Sequence, residues 1–167
     1  MLDTLTTDKL VEVLNQEAAV YEDILKISRN KTNIIVEGKV SELESLVKLE
    51  QSLVLKMSRL EASREKLVEK LASELGIESQ EPSISEIMER LGADETEKLK
   101  SCQLKMSEVL GEVKNLNGLN SKLIKNSLDY IDFSINLLTA AGSPNDTYGN
   151  TGHINDSKKR SFFDKKL

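Results

Sequence analysis

The sequence predicts an all-α fold: an elongated antiparallel helical bundle, or coiled-coil hairpin, of three long helices and one short helix. Charged residues make up 31% of the 167 residues, aromatic residues make up 4%, and the chain has no tryptophan. This composition is typical of long helices that leave little large apolar volume for a deep core. Apolar residues also recur at steps of three and four over three long segments, which is the period of one helix face.

The first predicted helix spans about residues 7–37. The side chains of residues 6–8 can accept hydrogen bonds from free backbone N–H groups, so we expect the helix to begin there. An apolar stripe follows, and Ser28 and Thr32 interrupt it. Gly38 is the expected end, because glycine readily adopts the left-handed conformation that is common at helix ends.

The second predicted helix, about residues 40–75, has the clearest heptad pattern. Ten positions between residues 43 and 74 alternate by threes and fours, and seven of them are apolar. This seam predicts packing against the first and last helices. It also contains Glu50 and Arg64. Because burying charge is costly, we expect these two residues to mark the ends of packing rather than a buried ion pair.

A short helix is predicted over about residues 83–91. Gly76 ends the second helix, and a polar linker follows. Ser83 and Glu86 have the spacing of a capping box, in which each side chain accepts from a free N–H of the other residue. Gly92 is the expected end of this helix.

The last predicted helix spans about residues 94–141. Gly111 and Gly118 each cost about 1 kcal/mol relative to alanine inside a helix, and the apolar seam takes two consecutive steps of four around Asn120. The middle of the helix is therefore a weak point, and we hypothesise a hinge there. After it, we expect residues 1–142 to form the helical domain and residues 143–167 to form a flexible, disordered tail.

The end of the last helix carries more apolar surface than one neighbour covers. Between residues 123 and 138 apolar side chains fall on more than one helix face, whereas a surface helix normally has one apolar stripe. Either the segment is buried on two sides, or one side is free for a partner. Periodicity alone leaves open burial by the first helix, a homodimer, or docking of another protein's helix.

Charge and composition exclude several function classes. The net charge is −5, and residues 158–167 contain five basic residues and one acidic residue. The remaining body is therefore at −9, which argues against a nucleic-acid surface. The sequence has no apolar run of about 18 residues and no secretory signal, so we expect a cytosolic protein without membrane insertion. Asp129 and Asp132 on the polar side of the last helix also disfavour a membrane-surface helix.

The sequence contains few residues in patterns that could form a catalytic, metal or phosphate site. Cys102 lies on a helix seam and His153 lies in the tail, so no nucleophile and base are paired. The glutamates follow solvated helix faces rather than metal-ligand spacings, and no glycine-rich phosphate loop is present. We therefore expect no enzyme activity, no metal site and no cofactor.

The order of these features resembles the flagellar type III export chaperone family FlgN. The resemblance is carried by a Leu/Glu-rich helical body, the segment LNGLNSKLIKNSLDYIDFSINLL, a short break, the pair Tyr148 and Gly149, and a basic end. It implies a non-catalytic chaperone that binds the hook–filament junction proteins FlgK and FlgL, blocks their premature assembly and delivers them to the export gate.

On this resemblance, client binding falls on the last helix, and docking to the export-gate protein FlhA falls on Tyr148 and Gly149. The expected client contacts are Leu123, Ile124, Leu128, Ile131, Ile135 and Leu138. The alternatives are a coiled-coil adaptor or self-associating structural protein without a secreted client, and a chaperone of the filament cap protein or flagellin.

Overall fold

The computed structural model describes residues 4–79 and 81–141, and within them all regular secondary structure is α-helical. The all-α class and the pattern of three long helices and one short helix are confirmed. In chain order the helices are α1 (Thr4–Glu37), α2 (Val40–Glu74), α3 (Ile84–Met88) and α4 (Ala93–Ala141).

The chain divides into two compact units, Met1–Leu128 and Asp129–Leu167. The first unit holds α1, α2, α3 and most of α4. The described part of the second unit is the last stretch of α4, residues 129–141. The predicted flexible tail, residues 143–167, lies outside the described residues.

In the first unit α1 and α2 form an antiparallel pair. Lys31 Nζ lies 2.8 Å from Glu50 Oε2, and Arg64 Nε lies 3.0 Å from Glu17 Oε1. Residue numbers therefore rise along α1 as they fall along α2, as in a helical hairpin.

The tight turn between α1 and α2 depends on Gly38, which has a φ of 69°. Its N–H donates to the carbonyl oxygen of Ile35, and the N–H of Lys39 donates to that of Ile34, both at 3.1 Å. This is a Schellman motif, and it satisfies carbonyl groups that the helix end leaves free. Gly76, with a φ of 65°, ends α2 in the same way, so the predicted stops at Gly38 and Gly76 are confirmed.

The same ion pairs correct one prediction about α2. Glu50 and Arg64 were expected at the ends of packing, but both belong to ion pairs with α1. The side chains of Lys31 and Glu50 are only 13% and 20% exposed, and that of Glu17 is 5% exposed. The prediction was wrong because α1 places an opposite charge against each seam position, and a paired charge is far less costly to bury than an isolated one.

In the first unit α4 lies alongside α1 and runs parallel to it. Lys98 Nζ lies 3.0 Å from Asp8 Oδ1, and Arg29 Nη2 lies 2.6 Å from Glu112 Oε2. Residue numbers rise together along the two helices. The three long helices of this unit are therefore arranged up, down and up, with α2 antiparallel to both of the others.

Two clusters of buried apolar side chains hold the first unit together. All four helices contribute to the first cluster, which consists of Leu10, Leu14, Val68, Leu71, Ile87, Leu99 and Cys102. The second cluster draws on the three long helices and consists of Val20, Ile24, Leu25, Met57, Val109 and Val113. Apolar burial of this kind is the main favourable term in folding.

A buried polar network connects α1 to α4. Asn120 is 3% exposed; its amide nitrogen donates to the carbonyl oxygen of Ser28 at 2.9 Å, and its Oδ1 accepts from the hydroxyl of Thr32 at 2.7 Å. The hydroxyl of Ser28 donates to Asn117 Oδ1 at 3.1 Å. Ser28 and Thr32, which interrupt the apolar stripe of α1, therefore face Asn120, where the apolar seam of α4 has its stutter. Because a buried amide needs these partners, the network fixes the register of the two helices.

Two predicted helix ends differ from the structure. α1 begins at Thr4, so the residues expected to cap it lie inside the helix, and Thr6 instead accepts from Lys70 Nζ at 2.9 Å. The capping box of Ser83 and Glu86 is confirmed. However, α3 ends at Met88, short of the predicted stop at Gly92, and the hydroxyl of Thr96 satisfies the free Met88 carbonyl at 3.1 Å.

Replacing Gly111 and Gly118 with alanine is expected to stabilise the protein. Both glycines lie inside the unbroken helix α4, and an added Cβ at either position meets nothing within 4 Å. Each substitution should raise the free energy of unfolding by about 0.5–1 kcal/mol in urea titrations. Gly38→Ala is the contrasting control, because its φ of 69° strains an alanine and should lower stability. An equal effect at all three positions would contradict this account.

Candidate functional site

The candidate site is a stripe of apolar side chains at the end of α4, which we call the late stripe: Ile124, Leu128, Ile131, Ile135 and Leu138. These residues follow one another at steps of four, three, four and three, so they share one helix face. In the first unit Ile124 and Leu128 are 38% and 55% exposed. In the second unit Ile131, Ile135 and Leu138 are 49%, 45% and 72% exposed. Leu123, the sixth expected contact, is half-buried.

The exposure of Leu128 follows from the length of α1. Thr32 is paired with Asn120, which lies 88 residues later in the chain. With this offset Glu37, the last residue of α1, corresponds to a position on α4 between Ile124 and Leu128. α1 therefore ends just after the level of Ile124, and it does not extend along α4 as far as Leu128.

A second group of large apolar side chains lies on another side of the same segment. Tyr130, Phe133 and Leu137 are spaced by three and four residues and are 72%, 62% and 59% exposed. The sequence showed that this segment is apolar on more than one face, but these three residues were not among the expected contacts. The exposed fraction of each side chain is the information that identifies them, and the periodicity of a sequence does not provide it.

The remaining expected site residues are not described. Tyr148 and Gly149, the expected contacts with the export gate, lie outside residues 4–79 and 81–141, and so does His153. Their roles stay predictions.

Cys102 has the environment of a core residue. It is 8% exposed and belongs to the first apolar cluster. Burial raises the pKa of its thiol, which disfavours the thiolate that a nucleophile requires. Its Sγ lies 3.8 Å from Asn15 Oδ1, so the thiol is a weak donor to an amide rather than the partner of a base.

The described residues offer neither a cluster of metal ligands nor a membrane-spanning helix. In the described part of the chain, no three His, Cys, Asp or Glu residues are grouped closely enough to hold a metal ion. None of the described helices combines the length and the apolar character that crossing a membrane requires.

A cleft of about 380 Å³ opens in the first unit between α1, α2 and α4. Its walls include the apolar side chains of Tyr21 and Met106, and the ion pair of Glu17 and Arg64 lies on its surface. Burial raises the pKa of Glu17, and the charge of Arg64 offsets this only in part. The cleft therefore holds a carboxylate whose ionisation the fold opposes.

This raised pKa predicts how stability depends on pH. The folded protein retains the Glu17 proton to a higher pH than the unfolded chain, so ionisation above the ordinary value of 4.5 costs stability. Relative to Glu17→Gln, the wild-type protein should lose unfolding free energy as the pH rises from about 4.5 to about 7. Urea titrations of both proteins across this range measure the difference. A difference that stays flat or grows with pH would contradict the assigned direction.

Comparison with known proteins gives the chain its family. The model of the family described as FlgN protein matches residues 1–156. The chain is also 26% identical over 159 residues to a Bacillus subtilis (strain 168) protein described as "Uncharacterized protein YvyG", a match that covers 94% of this chain and 96% of the relative. No solved structure matches the chain.

The family match covers the first unit and residues 129–156 of the second, and it includes the whole of α4. It agrees with the resemblance carried by the helical body and the late segment. FlgN proteins form a chaperone family rather than an enzyme family, and they act in the export of flagellar proteins. The chain belongs to the FlgN family of flagellar export chaperones.

Proposed function

We propose that this protein binds helical segments of the hook–filament junction proteins FlgK and FlgL in the cytoplasm, prevents their early assembly and delivers them to the export gate. The observation that carries this proposal is the exposure of the late stripe, which reaches 72% at Leu138. The family match supports a flagellar export chaperone in general, and the stripe supplies a surface for its client.

The chemistry of the late stripe suits an amphipathic client helix. Five aliphatic side chains on one helix face form a docking surface for the apolar face of another helix. Removing apolar surface from water is worth about 25 cal/mol per Å² before the costs of ordering. A client helix whose apolar face stayed exposed would be prone to aggregation, and docking on the late stripe covers that face.

Delivery requires a second contact that leaves the client in place. On the resemblance to the family, Tyr148 and Gly149 contact FlhA. These residues lie beyond the end of α4 at Ala141, so they do not overlap in sequence with the late stripe. The proposal therefore assigns the client and the gate to different parts of the chain.

Pull-down with two versions of the protein tests both contacts. The full chain should retain FlgK, FlgL and FlhA, whereas a chain that ends at Gly142 should retain the two clients and lose FlhA. Sedimentation should show an equimolar complex with FlgK or FlgL. If neither client binds and the protein assembles into long rods, the adaptor alternative holds. If flagellin or the filament cap protein binds instead, the client assignment is wrong.

The glycine substitutions in α4 also test whether the client needs a hinge. Within α4 both Gly111 and Gly118 are helical, and we propose that bending near them lets the late stripe accept its client. The double alanine variant should then bind FlgK more weakly than the wild type does. Unchanged or improved affinity would remove the support for a hinge.

A further inference from the structure

The late stripe follows a heptad pattern, and charged residues repeat at fixed heptad positions around it. If its five apolar residues are assigned to positions d, a, d, a and d, Lys125 and Asp132 both occupy position e, beside the stripe. Lys122 and Asp129 both occupy position b, on the far side of the helix. Each pair therefore repeats the same heptad position with opposite charge, seven residues apart.

An antiparallel pair of two late stripes matches these charges. When two such helices pack in opposite directions, the a and d positions interleave, so that Leu128 meets Ile131 of the second copy and Ile124 meets its Ile135. In this register position e of one helix faces position e of the other. Lys125 therefore faces Asp132 of the second copy, and the two-fold symmetry repeats the contact.

The parallel arrangement has no such match. In a parallel pair position g of one helix faces position e of the other. The g positions here are Asn120, Ser127 and Ser134, which carry no charge to pair with Lys125 or Asp132. Charge complementarity thus favours the antiparallel dimer over the parallel one.

We propose that two copies of the free protein associate through antiparallel late stripes, with Lys125 of each copy paired to Asp132 of the other. The stripe contributes about two heptads from each copy, which is small beside the interfaces of stable dimers. The dimer is therefore weak, and its population depends on protein concentration. It covers the apolar surface of the stripe while no other partner is present.

If the proposed function also holds, dimer and client compete for the same face. A client helix that covers the late stripe excludes the second copy, so addition of FlgK should convert dimers into complexes with one copy of each protein. This consequence rests on the proposed function, whereas the dimer does not.

Sedimentation equilibrium of the full chain at increasing concentration tests the dimer. The wild type should associate, and Ile131→Asp should abolish association. Lys125→Asp makes both interchain contacts repulsive and should raise the dissociation constant about tenfold or more. The double variant Lys125→Asp/Asp132→Lys exchanges the two charges, and it should restore the dissociation constant to within about threefold of the wild-type value.

Matched controls come from the far side of the helix. Lys122→Asp makes the same charge change as Lys125→Asp but at position b, so it should leave the dissociation constant within about threefold of the wild type. The proposal is overturned if the wild type stays monomeric at about 1 mM, if Lys122→Asp weakens association as much as Lys125→Asp, or if the charge exchange restores nothing. A monomeric protein that still binds FlgK would leave the proposed function intact, and a dimer that binds neither client would overturn only that function.

Discussion

Replacing Ile131 and Ile135 together with aspartate is expected to lower the affinity for FlgK or FlgL by at least about a hundredfold. Each isoleucine loses about 1.5–3 kcal/mol of apolar burial in the complex, and each new carboxylate is desolvated without a partner. Isothermal titration with purified client measures the loss. Because the two side chains are 49% and 45% exposed in the free protein, its helical far-UV signal should change little.

The control for this variant adds the same two charges to the same segment, outside the late stripe. Asn126→Asp/Asn136→Asp should bind the client with nearly wild-type affinity, because neither asparagine belongs to the late stripe. Equal losses in the two double variants would show that net charge, rather than the stripe, governs binding. A protein that unfolds when Ile131 and Ile135 are replaced would show that this face belongs to a core.

Leu71→Ala is expected to destabilise the protein by about 2–5 kcal/mol, the usual cost of emptying a buried leucine site. Leu71 is 0% exposed and lies in the first apolar cluster, where residues of α1, α3 and α4 surround it. Urea unfolding, followed by far-UV circular dichroism, gives the change in unfolding free energy. The loss should appear as a shift of the midpoint with little change in the slope.

Leu104→Ala is the matched control for Leu71→Ala. Leu104 also lies within a long helix, but it is 73% exposed. Its replacement should change the unfolding free energy by no more than about 0.5 kcal/mol. If the two variants lost similar free energy, the first cluster would not be the core that the structure shows.

Local chemistry in the sequence was sufficient to predict most of the helices. The period of the apolar residues, the capping box of Ser83 and Glu86, and the glycine stops at Gly38 and Gly76 are all short-range signals, and the structure confirms them. The end of α3 at Met88 was missed, and its free carbonyl is satisfied by Thr96, which lies on the next helix.

The polar contacts between helices were not predictable from one helix at a time. When α2 is considered by itself, Glu50 is a charged residue on an apolar seam. Its partner Lys31 is 19 residues away on another helix. When α4 is considered by itself, Asn120 marks a stutter in the apolar seam. The residues that hydrogen-bond to its side chain, Ser28 and Thr32, are 92 and 88 residues away. Such contacts depend on the register between helices, which periodicity does not specify.

The same limit applied to the candidate site. The sequence showed excess apolar residues in the last helix but left open whether they were buried. For Leu128 the answer depends on where α1 ends relative to α4, and that position is set by the pairing of Thr32 with Asn120. For Ile131, Ile135 and Leu138 the structure adds the exposed fractions, which no pattern in the sequence provides.

The parallel course of α1 and α4 has a consequence for the order of folding. The contacts between α1 and α2 close loops as short as 19 residues, whereas the contacts between α1 and α4 close loops of more than 80 residues. Loop-closure entropy grows with length, so the hairpin of α1 and α2 forms first and α4 joins it last. Of the four described helices, the one that carries the late stripe is therefore the last to be synthesised and the last to dock.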